Sequence, residues 1–303
     1  MKNLQSKINT HLLFTVIMSM AFMLSIWRIK YGFGGYDEPF YLTVPHRLFM
    51  GDSLLSEEWH VSQLSGILLF PFVSLYELIT KTTDGIILYM RILYIICHAL
   101  VSVFLYVRLK NYRYGAIFAS VLYFLFSPYG MKTLSYNTIP LDALVLTAVF
   151  ASTFNNKHKI IHTISGITFS MAVLCCPYMA VVYIIYCLCV SIHFIIYKLI
   201  IKKNNKYSFN IFSIKRFIYF SLGILISIAL FLFFVLSRTS INEILDNIPY
   251  ILFSDPEHIG ISLLDKVIIY FRCITYWQFK NIILLHNIYC RFYTFTTVFI
   301  IFS

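Results

Sequence analysis

The sequence is poor in charge, and acidic residues are its scarcest charged type. Only 12% of its 303 residues are charged, and Asp and Glu together number 13 against 24 Lys and Arg. Soluble domains carry about 25% charged residues, so this composition excludes an ordinary soluble domain. With 59% hydrophobic residues and a mean hydropathy of +0.78, the chain is predicted to be an integral membrane protein.

Several kinds of site are absent from the sequence as well. The seven cysteines lie in apolar or aromatic-rich segments, and none has a zinc-site spacing with partner ligands. There is no Walker-type or other glycine-rich nucleotide loop. The net charge of +11 comes from basic residues in short turns between apolar runs, which is typical of membrane topology and not of a nucleic-acid-binding face. The bilayer is therefore an expected partner and nucleic acid is not.

The apolar runs set the number of membrane crossings. A crossing helix needs about 20 mainly apolar residues. Segment 64–80 is the doubtful one, because it is short and contains Pro71 and Glu77. If it is re-entrant or lies at the outer surface, all the basic turns fall on the inner side, as the positive-inside rule requires. The nine candidate segments are 12–28, 64–80, 86–107, 115–131, 139–154, 160–176, 178–200, 217–237 and 282–302.

The resulting prediction is an all-α polytopic membrane protein with about eight transmembrane helices and both ends inside. Residues 1–303 are expected to form a single transmembrane domain. A first outer loop over 29–85 carries juxtamembrane helices, and a second outer region covers 238–281. Every acidic residue then falls on the outer side of the membrane. This placement favours a functional site on the outer side over the alternative that these residues only form a solvated loop surface.

Several short motifs follow one another in a definite order. They are an Asp-Glu pair after the first span, a proline-containing juxtamembrane stretch, an arginine early in a span, a basic inner turn, and an aspartate opening a later span. This order resembles the N-terminal half of the GT-C glycosyltransferases, nearest to the protein O-mannosyltransferase and lipid A aminoarabinose transferase group. The matching positions are Asp37 and Glu38, the segment around Pro71, Arg91 with Ile92, the turn 108–113, and Asp142.

The resemblance covers roughly residues 10–155 and implies both a fold and an activity. The activity would transfer a sugar from a polyprenyl-phosphate donor to a glycan, lipid or protein acceptor, on the outer face of a bacterial cytoplasmic membrane. The Pro-Pro-Leu usual in the family's juxtamembrane stretch is absent here. Family members usually continue for several more spans, so a truncated chain is one expectation.

The resemblance assigns the Asp-Glu pair to catalysis. Asp37 would take the proton of the acceptor hydroxyl, and Glu38 would position Asp37 or bind sugar hydroxyls. The residues themselves leave another interpretation open. Asp37 precedes Pro39, a pattern typical of the start of a helix, so Asp37 could be an N-cap.

The leaving phosphate needs cations near the membrane surface. Arg91 is the first candidate, because an arginine inside a span rarely faces lipid. The alternative for Arg91 is an ion pair with Asp84 or Asp142. The lesser candidates are Arg47, Lys132, Arg238 and Arg272, each of which could instead be an interfacial cation.

Two further assignments concern sugar and metal binding. Asp142 is expected to orient the sugar; otherwise it holds Asn137 and Tyr136 or forms a solvated helix start. Glu58 and His60 could contribute to a divalent metal site, although two ligands are too few to claim one. No other cofactor is expected.

A non-catalytic protein is the alternative to an enzyme, for example a transporter of lipid-linked glycans. A transporter is expected to have ionisable residues or broken helices at mid-bilayer and paired half-repeats. His98 and His193 lie within spans, but the sequence shows no paired broken helices. The acidic residues on the predicted outer face favour the enzyme.

Overall fold

A computed structural model describes residues 2–32, 37–58, 61–155, 157–199, 213–253 and 268, and the secondary structure of these residues is helical, with no strand. The chain divides into two compact units, Met1–Ile251 and Leu252–Ser303. The predicted span 282–302 and Arg272 lie outside the described residues. The α-helices are α1 (Lys2–Arg28), α2 (Asp37–Met50), α3 (Gly66–Thr80), α4 (Ile86–Leu109), α5 (Tyr114–Leu125), α6 (Ile139–Thr153), α7 (Lys159–Cys175), α8 (Ala180–Leu199), α9 (Ile214–Leu236) and α10 (Ile241–Phe253).

Within the described residues, five helical segments are long and apolar enough to cross a membrane, which confirms a helical membrane protein. They are Thr10–Arg28, Gln63–Thr80, Ile86–Tyr112, Pro177–Ile195 and Ile214–Leu236. The expected count of eight is not confirmed. Segment 64–80, expected not to cross, meets the criteria of a span, whereas α5, α6 and α7 have 12, 15 and 17 residues. A 15-residue helix rises about 22 Å, less than the roughly 30 Å of hydrocarbon in a bilayer.

Helix α4 is packed on several sides, by α1, α3, α5 and α6. Its buried positions recur every three or four residues, so they form one continuous stripe. Near one end of α4 the Tyr106 hydroxyl bonds His11 of α1, and near the other end Arg91 donates to the Ile29 carbonyl. Helices α1 and α4 are therefore antiparallel. The stripe consists of Ile86, Met90, Arg91, Tyr94, Ile95, His98, Val101, Ser102 and Tyr106.

Helices α7 and α9 approach each other backbone to backbone. A Cβ atom on Gly166 would lie 2.0 Å from the carbonyl oxygen of Phe220, and one on Gly223 would lie 2.0 Å from that of Thr163. Small residues permit this kind of close approach between membrane helices. On the other side of α7, the Thr168 and Thr147 hydroxyls are 2.8 Å apart and join α7 to α6. Helices α6, α7 and α9 therefore form a second packed group.

Two arginines cap the C-terminal end of α6. Arg108 of α4 donates to the Thr153 carbonyl at 2.7 Å and lies over the Phe154 ring. Arg216 of α9 is buried and donates to the Ala151 and Phe154 carbonyls, both at 2.7 Å. The last carbonyls of a helix have no partner within it, so cations at this position satisfy them. Arg108 at the end of α4 and Arg216 at the start of α9 thus have a structural role and meet at one end of α6.

Candidate functional site

The Asp-Glu pair lies at the start of α2, against the first two turns of α4. Arg91 binds Glu38 in a bidentate pair, with Nε to Oε1 at 2.9 Å and Nη2 to Oε2 at 2.5 Å. Glu38 is only 2% exposed. A guanidinium and a carboxylate fit each other in this fork geometry, which compensates for the loss of hydration. The sequence identified both residues, and the structure brings them together.

The remaining donors of Arg91 hold the end of α1. Nη1 donates to the Ile29 carbonyl at 2.7 Å and Nη2 to that of Gly32 at 3.0 Å. The carboxylate partner of Arg91 is thus Glu38 rather than Asp84 or Asp142. With these bonds in place, Arg91 fits a positioning role at the start of α2 better than a role in binding phosphate. Asp37 is the first residue of α2, but its side chain lies outside the described residues.

Asp142 forms a second buried cluster, with His98 of α4 and Tyr123 of α5. His98 Nδ1 lies 2.6 Å from Asp142 Oδ1, and the Tyr123 hydroxyl donates to the same oxygen. Asp142 is 8% exposed, so it is not a solvated helix start. The Asn137 amide donates to the Tyr41 hydroxyl. The alternative of a solvated helix start is wrong, because Asp142 is buried.

The geometry fixes the number of protons in this cluster. His98 Nε2 lies 2.9 Å from the Tyr123 carbonyl oxygen, which can only accept, so Nε2 carries a proton. The contact between Nδ1 and Asp142 then needs one further proton shared between nitrogen and oxygen. The cluster is thereby neutral as a whole, which suits a group buried among membrane helices.

Removal of the Asp142 carboxylate is expected to remove the shared proton. In protein with ¹⁵N-labelled histidine, wild type should give a strongly downfield proton signal from the His98–Asp142 hydrogen bond. Asp142→Leu should lose it and keep the Nε2–H signal, because Nε2 still faces the Tyr123 carbonyl. The exposed carboxylate of Asp84 supplies the control, since Asp84→Asn should change neither signal. A downfield signal that survives in Asp142→Leu would contradict the assignment.

Arg47 and Arg238 belong to a third group, around the loop after α2. Arg47 pairs with Asp52 at 2.5 Å and with Glu58 at 3.1 Å. The hydrogen bond that Arg47 donates to Asp52, more than the charges of the other nearby acids, raises the pKa of Arg47 above its usual value despite partial burial. Arg238 donates to the Leu48 and Asp52 carbonyls and thereby joins the end of α9 to this loop. Both arginines already have partners of their own.

The weak metal candidates do not assemble within the described residues. Glu58 accepts a hydrogen bond from Arg47, and His60 lies outside the described residues. In the part of the chain that the structure describes, no group of three or more His, Cys, Asp or Glu side chains could hold a metal ion.

Lys132 lies in the loop between α5 and α6, close to the first of these groups. Burial, together with the nearby Arg28 guanidinium, lowers the pKa of Lys132 below its usual value. None of the ion pairs formed by the described residues includes Lys132. The adjacent Met131 accepts a hydrogen bond from Tyr41 of α2, and Arg28 precedes the residue whose carbonyl binds Arg91. Two cations therefore lie near the start of α2.

No family model, curated protein or solved structure matches this chain. The candidate site therefore depends on the chain's own geometry, together with the order of its motifs.

Sequence analysis assigned no functional role to two side chains that form paired contacts in the structure, His98 and Glu77. His98 was noted only as a histidine within a span, although it follows Arg91 by seven residues and so shares its face of α4. Glu77 served only as a reason to question segment 64–80 and as one of the acidic residues of the first outer loop. A lone carboxylate in an apolar helix calls for a partner, and its partner is His46 at 2.7 Å.

Proposed function

We propose that the chain is a membrane glycosyltransferase of the GT-C type, which transfers a sugar from a polyprenyl-phosphate donor to an acceptor on the outer face of the membrane. The observation that carries the proposal is the buried Glu38–Arg91 pair. It fixes the residue next to Asp37 at the junction of α1, α2 and α4. A general base must be held in one place, and a rigid neighbour supplies that constraint.

In this proposal Asp37 takes the proton from the acceptor hydroxyl while the oxygen of that hydroxyl bonds to the anomeric carbon of the donor sugar. The bond from that carbon to the phosphate oxygen breaks, and its electron pair leaves with the phosphate. Arg28 and Lys132 neutralise the developing negative charge, because the donors of Arg91 are committed to Glu38 and two carbonyls. Glu38 and Arg91 act as positioning residues.

Replacing Asp37 with Asn is expected to reduce sugar transfer by a factor of about 10² to 10⁴, the usual contribution of a general base. The assay follows transfer from extracted polyprenyl-phosphate sugars to membrane acceptors by the purified chain in lipid nanodiscs. Asp84→Asn, at an exposed carboxylate in the turn before α4, is the matched control and should retain full activity. Wild-type transfer by Asp37→Asn would rule out the general-base role.

A transporter of lipid-linked glycans is the second candidate, because the cluster of His98, Tyr123 and Asp142 is buried among apolar helices. Ionisable clusters in such positions often belong to a transport path. The two functions differ in their products: the enzyme yields a new glycosidic bond, whereas the transporter moves an intact lipid-linked glycan between leaflets.

A further inference from the structure

His46 of α2 and Glu77 of α3 form a dyad that neither the sequence motifs nor the proposed catalytic step uses. His46 Nδ1 lies 2.7 Å from Glu77 Oε1. The Glu77 side chain is 8% exposed, whereas that of His46 is 39% exposed. The dyad thus combines a buried carboxylate with an imidazole that solvent or a ligand can reach.

Glu77 determines which nitrogen of His46 a ligand meets. In the neutral imidazole, the Nδ1 proton is donated to the carboxylate and the lone pair is left on Nε2. Nε2 has no hydrogen-bond partner among the described residues. His46 therefore offers a free, oriented hydrogen-bond acceptor, and such an atom suits the hydroxyl group of a ligand.

The dyad lines a cleft of about 290 Å³ between α2, α3 and the start of α4. This volume is near the lower end of the range for small-molecule sites, so it suits one small ring rather than a long chain. The lining contains both polar and apolar residues, and a sugar ring, with its hydroxyl edge and its C–H face, requires both kinds. The polar residues are Thr43, His46, Glu77 and Thr83, and the apolar ones include Leu42 and Ile86.

The cleft and the cations near α2 lie on different faces of that helix. Leu42, Thr43 and His46 line the cleft and follow the spacing of one helical face. Tyr41, on another face, contacts Met131 beside Lys132. A ligand in the cleft is thereby distinct from the phosphate that Lys132 and Arg28 are proposed to bind.

We infer that this cleft binds a sugar unit of a glycan acceptor, with a hydroxyl donated to His46 Nε2 and the imidazole oriented by Glu77. The statement that the bound sugar belongs to an acceptor rests on the proposed function, but the binding of a sugar ring can be tested without any transfer. It assigns His46 to binding and Glu77 to positioning.

Binding is tested on the full chain in lipid nanodiscs by saturation-transfer difference NMR, with methyl glycosides of glucose, mannose and N-acetylglucosamine as probes. At least one glycoside should bind to wild type. His46→Gln and Glu77→Gln should weaken its binding about tenfold, which corresponds to the loss of one good hydrogen bond. The Glu77 variant should also lose the Nδ1–H tautomer of His46 in ¹⁵N spectra, an effect that a merely structural role would not produce. His158→Gln, at an exposed histidine outside the cleft, is the matched control.

Kinetics separate this inference from the proposed function. Both variants should raise KM for the acceptor about tenfold and change kcat little, whereas Asp37→Asn should lower kcat. If wild type transfers no sugar but binds a glycoside in a manner that depends on His46, the proposed function fails and the sugar site stands. If no glycoside binds, or if binding is unchanged in both variants, the inference is overturned.

Discussion

Replacing Arg91 with Met is expected to destabilise the protein by about 3–5 kcal/mol, the usual cost of removing one partner of a buried ion pair. Glu38 is 2% exposed and would lose both bonds of the bidentate pair. The carbonyls of Ile29 and Gly32 would also lose their donor, so the end of α1 would be released. Unfolding of the purified chain in mixed micelles, followed by circular dichroism, measures this loss.

The double variant Arg91→Met with Glu38→Leu distinguishes pairing from simple packing. Because no unpaired charge then remains in the interior, most of the lost stability should return. Arg28→Met, at an exposed arginine, should change stability by less than about 0.5 kcal/mol. Equal losses in the single and double variants would show that the buried pair is not the source of the effect.

Replacing Gly223 with Ala is expected to cost about 3 kcal/mol, at the upper end of the usual range for overpacking. The added Cβ would lie 2.0 Å from the Thr163 carbonyl oxygen and 3.0 Å from the Ile167 nitrogen. Both are backbone atoms, so no side-chain rotation relieves the clash and α7 must move away from α9. The same unfolding measurement in mixed micelles tests this prediction.

Two comparisons make this test specific. Gly166→Ala should have a similar effect, and the double variant should cost much less than the sum, because the first substitution already separates the helices. Gly115→Ala is the matched control, since its Cβ would meet only the Tyr112 Cβ at 3.8 Å. That substitution should be neutral or slightly stabilising because alanine favours a helix. A neutral Gly223→Ala would contradict the close approach of α7 and α9.

The position of most helices was predictable because hydropathy is a local property. The runs 86–107 and 217–237 agree closely with α4 and α9, and the run 12–28 agrees with Thr10–Arg28, the apolar part of α1. The number of crossings was less predictable. Segment 64–80 contains Pro71 and Glu77, yet it forms α3, with the proline accommodated inside the helix and the carboxylate paired with His46. A local count of charges and prolines cannot register such a distant partner.

The candidate site was predictable in its members but not in its contacts. Glu38, Arg91 and Asp142 were identified from the order of the motifs. Arg91 was expected to bind phosphate or an aspartate, but it binds Glu38, which lies 53 positions earlier in the chain. Asp142 was expected to orient a sugar, to hold Asn137 and Tyr136, or to form a solvated helix start. It is buried and bound by His98 and Tyr123, and its role toward a sugar stays a prediction. Each partner depends on which faces of two helices meet, and hydropathy patterns leave that open.

The sequence by itself determined that this protein lies in a lipid bilayer and that its secondary structure is helical. Long apolar runs with little charge must lie in lipid, and in lipid each backbone group needs a partner within its own helix. Only the tertiary structure decided which charged groups pair with each other, that His46 and Glu77 pair in the lining of one cleft, and that two glycines allow α7 and α9 to approach closely. These contacts depend on the rotation and register of packed helices, which arise from the simultaneous packing of many side chains and not from any one segment.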